Sequence, residues 1–170
     1  MEKTIFKMKR LFCSKKKKQW RKLVRLDIDN IDKLLEPTEI LIPARVSRVI
    51  DGDTIEIVFL HGGKIPTKIS IRIKGVDTPE LRGKTDLEKK AAIFVKEKVE
   101  EVLNDQKIIQ VKFVKWGKYS NRIIGDVIFN QDSYLSDFLL ANGYAQVYKG
   151  KRKNKWTQDK LQEIIKSYPS

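Results

Sequence analysis

The chain of 170 residues is long enough for one domain with its own core, and its 41% apolar content is close to globular. Lys and Arg outnumber Asp and Glu by 36 to 22, while histidine and cysteine occur once each, as His61 and Cys13. Those single copies exclude a disulfide framework, a thiolate or histidine-rich zinc site and catalysis by a histidine pair, which leaves carboxylates, arginines and a hard metal ion for any hydrolytic chemistry.

The net charge of +14 is unevenly spread. Residues 1–25 hold eleven basic residues and one acid, Glu2, and read as a flexible basic arm around KKKKQWRK. Residues 26–43 carry a net −4 and read as an acidic connector punctuated by Pro37 and Pro43, with a short helix expected near Ile31–Leu35. Residues 44–170 carry +8 and read as the folded domain. Such a distribution points to a polyanionic partner, DNA or RNA first, with an anionic membrane surface as a second target for the arm. No apolar run reaches the length of a membrane span, and the opening MEKTIFKMKRLF lacks the core of a secretory signal. The expectation is an intracellular monomer, cytoplasmic or nuclear.

From Ala44 the pattern turns to strands. ARVSRVI, TIEIVFL and TKISIRIKGV alternate apolar and polar residues with β-branched enrichment. An Asp51-Gly52 turn joins the first two, and His61-Gly62-Gly63 joins the second to the third. After Pro79 the period becomes helical, with Leu87, Ala91, Phe94, Val95, Val99, Val102 and Leu103 on one stripe and Thr85 and Glu88 spaced as a capping box. KIIQVKFV and RIIGDVIF follow as strands. A short helix over about Tyr134–Asn142 stops at Gly143, and a last one runs from Thr157 to about Ser167. Five strands and about three helices make an α+β, mostly β, domain, best fitted by a five-stranded, partly open barrel of the oligonucleotide-binding type (the OB-fold).

The stretch VIDGDTIEI at 49–57 places a second carboxylate, Asp53, directly after the turn. The third strand ends in IRIKGVDTPE at 71–80, which puts Asp77 at a neighbouring strand end beside Pro79 and Glu80. Two aspartates at adjacent strand ends can share one cation, and oxygen-only ligation suits Ca2+ or Mg2+, with water and a substrate phosphate completing the shell. Arg72 lies five residues before Asp77, an odd spacing that predicts a bulge, most easily at Gly75. In RIIGDVIF, Ile124, Val127 and Phe129 cannot share a face of a regular strand, which predicts a second bulge near Gly125-Asp126 or in the preceding loop.

VIDGDT, IRIKGVDTPE, KYSNR at 118–122 and LLANGYA at 139–145 together resemble the staphylococcal nuclease (thermonuclease) family over roughly residues 44–153. The resemblance implies a Ca2+-dependent phosphodiesterase that cuts DNA and RNA with little sequence specificity on an OB-fold barrel, with Mg2+ or Mn2+ as alternative metals. It implies that Asp53 and Asp77 ligate the metal, with Thr78 contributing its carbonyl. Glu80 then corresponds to the general base or water positioner, and Arg72 and Arg122 to the arginines on the scissile phosphate. Lys118, Tyr119 and Tyr148 fall near positions that contact the rest of the nucleotide. The tract Tyr119-Ser120-Asn121-Arg122 is one residue longer than the family's Tyr-Gly-Arg, and the loop after Glu80 is short. The alternative is a catalytically silent OB-fold that binds nucleic acid, though all four of Asp53, Arg72, Asp77 and Glu80 are present.

Overall fold

The alternating segments form the strands they predict, and a parallel ladder closes them on themselves. The computed structural model describes residues 41–166 apart from 105, 118–121, 131 and 152; the basic arm, the connector up to residue 40, Lys118 and Tyr119 lie outside the described residues. β1 (Leu41–Asp51), β2 (Thr54–His61) and β3 (Ile65–Ile73) form an antiparallel meander, followed by the short β4 (Val76–Asp77). Helix α1 (Asp86–Asn104) leads to β5 (Ile109–Trp116) and β6 (Arg122–Phe129). The two-residue β7 (Ser133–Tyr134), α2 (Leu135–Ala141), the two-residue β8 (Gln146–Val147) and α3 (Gln158–Lys166) complete the order. β1 pairs with β5, β5 with β6, and β6 runs parallel to β3 from Ser70↔Arg122 to Ile73↔Gly125. The five long strands therefore form a closed barrel instead of the partly open one expected.

Strand period sorts the side chains. Ile55, Ile57, Ile71, Ile73, Ile123 and Val127 fill the buried face, and each such side chain withdrawn from water contributes roughly 1.5–3 kcal/mol. Helix α1 adds Ala91, Phe94, Val95, Val99 and Leu103 to the same core, as its stripe predicts. Thr85 Oγ1 accepts the Glu88 N–H at 3.1 Å, while the Glu88 carboxylate accepts from Lys84 N at 3.2 Å, one residue earlier than a regular capping box.

Two local expectations are corrected. The offset between Arg72 and Asp77 is not a bulge: β3 ends at Ile73, and the chain turns through Lys74 and Gly75 before β4. Gly75 has φ +82°, which a residue with a Cβ adopts only at a cost, so glycine is required there. Nor does β6 bulge. Ile123, Gly125, Val127 and Phe129 are buried in strict alternation, and Ile124 lies on the outer face with Arg122 and Asp126. The irregularity falls on the partner strand, between Phe113 and Lys115 of β5, so Val114 absorbs it.

Asp126 anchors α2 on the outer face of β6. Its Oδ1 accepts the N–H groups of Val127 at 2.8 Å and Ser136 at 3.2 Å, and its Oδ2 accepts the Ser136 hydroxyl. Burial lifts the Asp126 carboxyl above its ordinary 3.8, although the Ser136 and Val127 bonds pull it down. Folding therefore favours the protonated form. That contribution is complete below the unfolded-state pKa and is lost as pH rises through the higher folded-state value. Asp126→Ala strands the Ser136 donors and should lower stability by about 1–3 kcal/mol in urea unfolding. Asp126→Asn keeps a carbonyl acceptor and cannot ionise, so its stability relative to the unmodified protein should climb as pH rises from below the ordinary 3.8 through the higher folded-state value. A difference that stays flat across that range would remove Asp126 as a titrating anchor.

Candidate active site at the β1–β2 turn

The β1–β2 connection contains only two residues, since Asp51 pairs with Thr54 across the ladder. Gly52 and Asp53 are therefore the turn residues, which corrects the expected Asp51-Gly52 turn and puts Asp53 in the turn itself. Gly52 is needed for space. A Cβ there would meet Val95 Cγ1 at 2.7 Å and Thr78 Oγ1 at 2.9 Å, so glycine lets the turn sit directly on α1 and the segment after β4.

That close seat fixes Asp53. The residue is 1% exposed, with its Oδ1 accepting the Thr54 hydroxyl at 3.0 Å and its Oδ2 accepting the Thr78 N–H at 3.2 Å. Asp77, 4% exposed, lies at the end of β4, where Asp77 pairs with Gln146 of β8. Arg72 of β3 bridges the two acids: Nη1 pairs with Asp53 Oδ1, and Nη2 lies 3.1 Å from Asp77 Oδ1 and 3.5 Å from the Val76 carbonyl. Lys153 completes the network, with Nζ 2.7 Å from Asp77 Oδ1 and paired with Glu80 Oε1. Three carboxylates thus share two cations.

Burial raises the Asp53 carboxyl above its ordinary range, with Arg72 and the Thr78 N–H opposing it. Asp51, whose Oδ1 accepts its neighbour Gly52 N–H at 2.9 Å, is pushed up to about 6 by burial, helped by the charges of Asp53 and Glu80. Burial would lower the Lys153 ammonium, but its bonds to Asp77 and Glu80 outweigh that and raise it.

Arg122 enters at the first residue of β6. The parallel ladder pairs it with Ser70 and pairs Ile124 with Arg72, so the two arginines stand diagonally on one outer face of adjacent strands. Tyr148 is close by backbone: its N–H donates to the Gly75 carbonyl at 2.8 Å, and its hydroxyl donates to Lys151 O at 3.0 Å. The structure therefore brings Asp53, Arg72, Asp77, Thr78 and Glu80 together, with Arg122 and Tyr148 on adjoining elements.

Lys153 and Asp51 are the site residues that sequence reasoning missed. Lys153 belongs to the run KGKRKNK, where no spacing separates it from its neighbours. Asp51 carried a signal, adjacency to Asp53, but its role as a turn former hid it.

The donor set fits a hard divalent ion. Asp53 and Asp77 offer buried carboxylate oxygens, and Thr78 Oγ1 is buried with no hydrogen-bond partner. Among the described residues no cluster of three metal-ligating side chains forms, so an ion here would keep part of its shell for water and phosphate.

Arg72→Met should be severely destabilising in metal-free buffer, because it leaves two buried carboxylates with only Lys153 as counter-charge. A loss of about 3–5 kcal/mol in urea unfolding is expected. A loss below about 1 kcal/mol would show that the arginine is a surface charge instead.

Among the described residues no helix is long and apolar enough to cross a membrane. No curated protein matches the chain. The family model of the staphylococcal nuclease homologues matches residues 70–167, more than half of the chain, taking in Arg72, Asp77, Glu80 and Arg122. Asp53 lies outside that match and joins the site through its contacts with Arg72 and Thr78. The chain belongs to the staphylococcal nuclease homologue family.

Proposed function

We propose that the protein is a metal-dependent phosphodiesterase that hydrolyses DNA or RNA with little sequence specificity. One observation carries this reading: Asp53, Arg72, Asp77 and Glu80, from a turn, two strands and a loop, meet in a single ion-pair network at one end of a barrel. A purely structural salt-bridge cluster has no need to gather buried carboxylates beside a half-exposed one and a second arginine.

Asp53 and Asp77 would hold the ion, with Thr78 beside them. Ca2+, or Mg2+ or Mn2+ in its place, would supply positive charge to a phosphate oxygen. Glu80 takes the proton of the attacking water as the new P–O bond forms and the ester P–O bond breaks, and the leaving oxygen is protonated from solvent. Negative charge grows on the equatorial oxygens, where the Arg72 and Arg122 guanidinium groups stabilise it with paired hydrogen bonds. Lys118, Tyr119 and Tyr148 contact the adjoining nucleotide in this reading.

Incubation of labelled DNA and RNA with Ca2+, Mg2+ or chelator tests the proposal. Cleavage should need the divalent ion, and Asp53→Ala and Asp77→Ala should abolish it. Glu80→Gln should lower turnover on the order of 100-fold. Arg122→Lys keeps the charge but loses the planar fork, so turnover should fall sharply, whereas Asn121→Ala should be mild. Full cleavage in excess chelator would overturn the metal mechanism. Binding without cleavage under every metal condition would establish the silent binding domain.

The arm of residues 1–25 supplies nonspecific affinity in this reading. Eleven basic residues near a polyanion release counterions, so deleting the arm should raise the apparent substrate constant and flatten its salt dependence. Turnover at saturation should hardly change. Its collapse would place the arm within the site.

A further inference from the structure

We propose that Lys153 is a tethered counter-cation for the carboxylate site, bound between Asp77 and Glu80 when no divalent ion is present and displaced when one enters. This rests on the metal site of the preceding reading. Asp77 Oδ1 already faces two cations, Lys153 Nζ at 2.7 Å and Arg72 Nη2 at 3.1 Å. A divalent ion on the same oxygen would be the third, and like charges that close repel strongly in a partly dry site. One cation must withdraw.

The contacts decide which. Arg72 is 18% exposed and is held by Asp53, Asp77 and the Val76 carbonyl. Lys153 is 43% exposed, hangs on a flexible stem and pairs with the two carboxylates through its ammonium alone. It also borders an open groove of about 700 Å3, lined by Glu80, Lys84, Lys155 and Trp156 among others, into which its ammonium can turn and be hydrated. An ammonium regains strong hydration on release, whereas withdrawing the Arg72 guanidinium would break its contacts with Asp53, Asp77 and the Val76 carbonyl together. Lys153 is the cation that leaves.

The ammonium and the divalent ion then substitute for one another. Without Lys153 the apo site loses one of the two cations on Asp77 and the ammonium paired with Glu80, and an incoming ion has nothing to displace. Lys155 lines the same groove, and no contact joins it to the carboxylates, so it reports the general effect of removing one positive charge.

The test uses the full chain, calorimetric titration with Ca2+, and thermal unfolding in chelator and in saturating Ca2+. Lys153→Gln should bind Ca2+ about three- to tenfold more tightly, and Lys155→Gln should stay within about twofold of the unmodified protein. Lys153→Gln should melt lower in chelator, and Ca2+ should close most of that gap. Lys153→Arg keeps a cation and should retain weak Ca2+ binding and the unmodified apo melting point, which guards against a Gln variant that folds poorly. Equal gains in Lys153→Gln and Lys155→Gln, unchanged affinity, or a melting deficit that persists in Ca2+ would each overturn the proposal. Failure of the unmodified protein to bind Ca2+ would instead overturn the metal reading on which it rests.

Discussion

The guanidinium of Arg72, held between Asp53 and Asp77, is the interaction on which the rest of the site depends. It ties three separate segments: the β1–β2 turn, the end of β3 and the two-residue β4. Both acids are almost fully buried, and an isolated charge at either place would be expensive to desolvate. Each is tolerable because Arg72 serves both, while the Thr54 hydroxyl and the Thr78 N–H also donate to Asp53 and Lys153 also pairs with Asp77. The arginine is also positioned by the sheet, since it pairs with Thr54 on one side and Ile124 on the other. Barrel closure and site assembly are therefore one event. Without the parallel β3–β6 ladder, Arg72 would sit on an edge strand and Arg122 would have no fixed relation to it.

Much of the barrel was legible because its period is two and its interior is uniform. The β-branched residues of β1, β2, β3, β5 and β6 declare the buried face without reference to partners. The α1 stripe and the Thr85 cap were equally local signals. What escaped the sequence depended on contacts across the chain. Gly52 looks like a turn glycine, but its necessity comes from Val95, 43 residues away. The bulge expected near Gly125-Asp126 or in the preceding loop is absent from β6, whose own alternation is regular. Treating Ile124 as a core residue forced that error. Half-buried on the outer face, it needs no irregularity at all.

The candidate site divides along the same line. Asp53, Arg72, Asp77 and Glu80 stand in short quoted motifs, and their chemistry follows from residue type and strand position. Lys153 does not. It is one of several basic residues in a polar stretch, and only the pairing of β4 with β8 brings the following segment over Asp77 and Glu80. The extra residue before Arg122 was a real ambiguity of the sequence. The ladder register answers one part of it, by placing Arg122 on the face that carries Arg72.

A basic protein with a locally acidic site also constrains the order of binding. The folded region carries a net positive charge that draws a polyanion from a distance. Around the carboxylates themselves the balance is more acidic, since Asp53, Asp77, Glu80 and Asp51 gather there with Arg72 and Lys153. A phosphate brought there by the outer field would meet those carboxylates over the last few ångströms, where screening by salt is weakest. In the proposed reading a divalent ion would lower that barrier, and a bound phosphate would in turn add ligands and negative charge around the ion. Each would therefore favour the other, and by linkage the factor by which the ion tightened phosphate binding would equal the factor by which phosphate tightened the ion. Such coupling would let a site with few protein ligands remain weak for metal alone and become strong only when substrate is present.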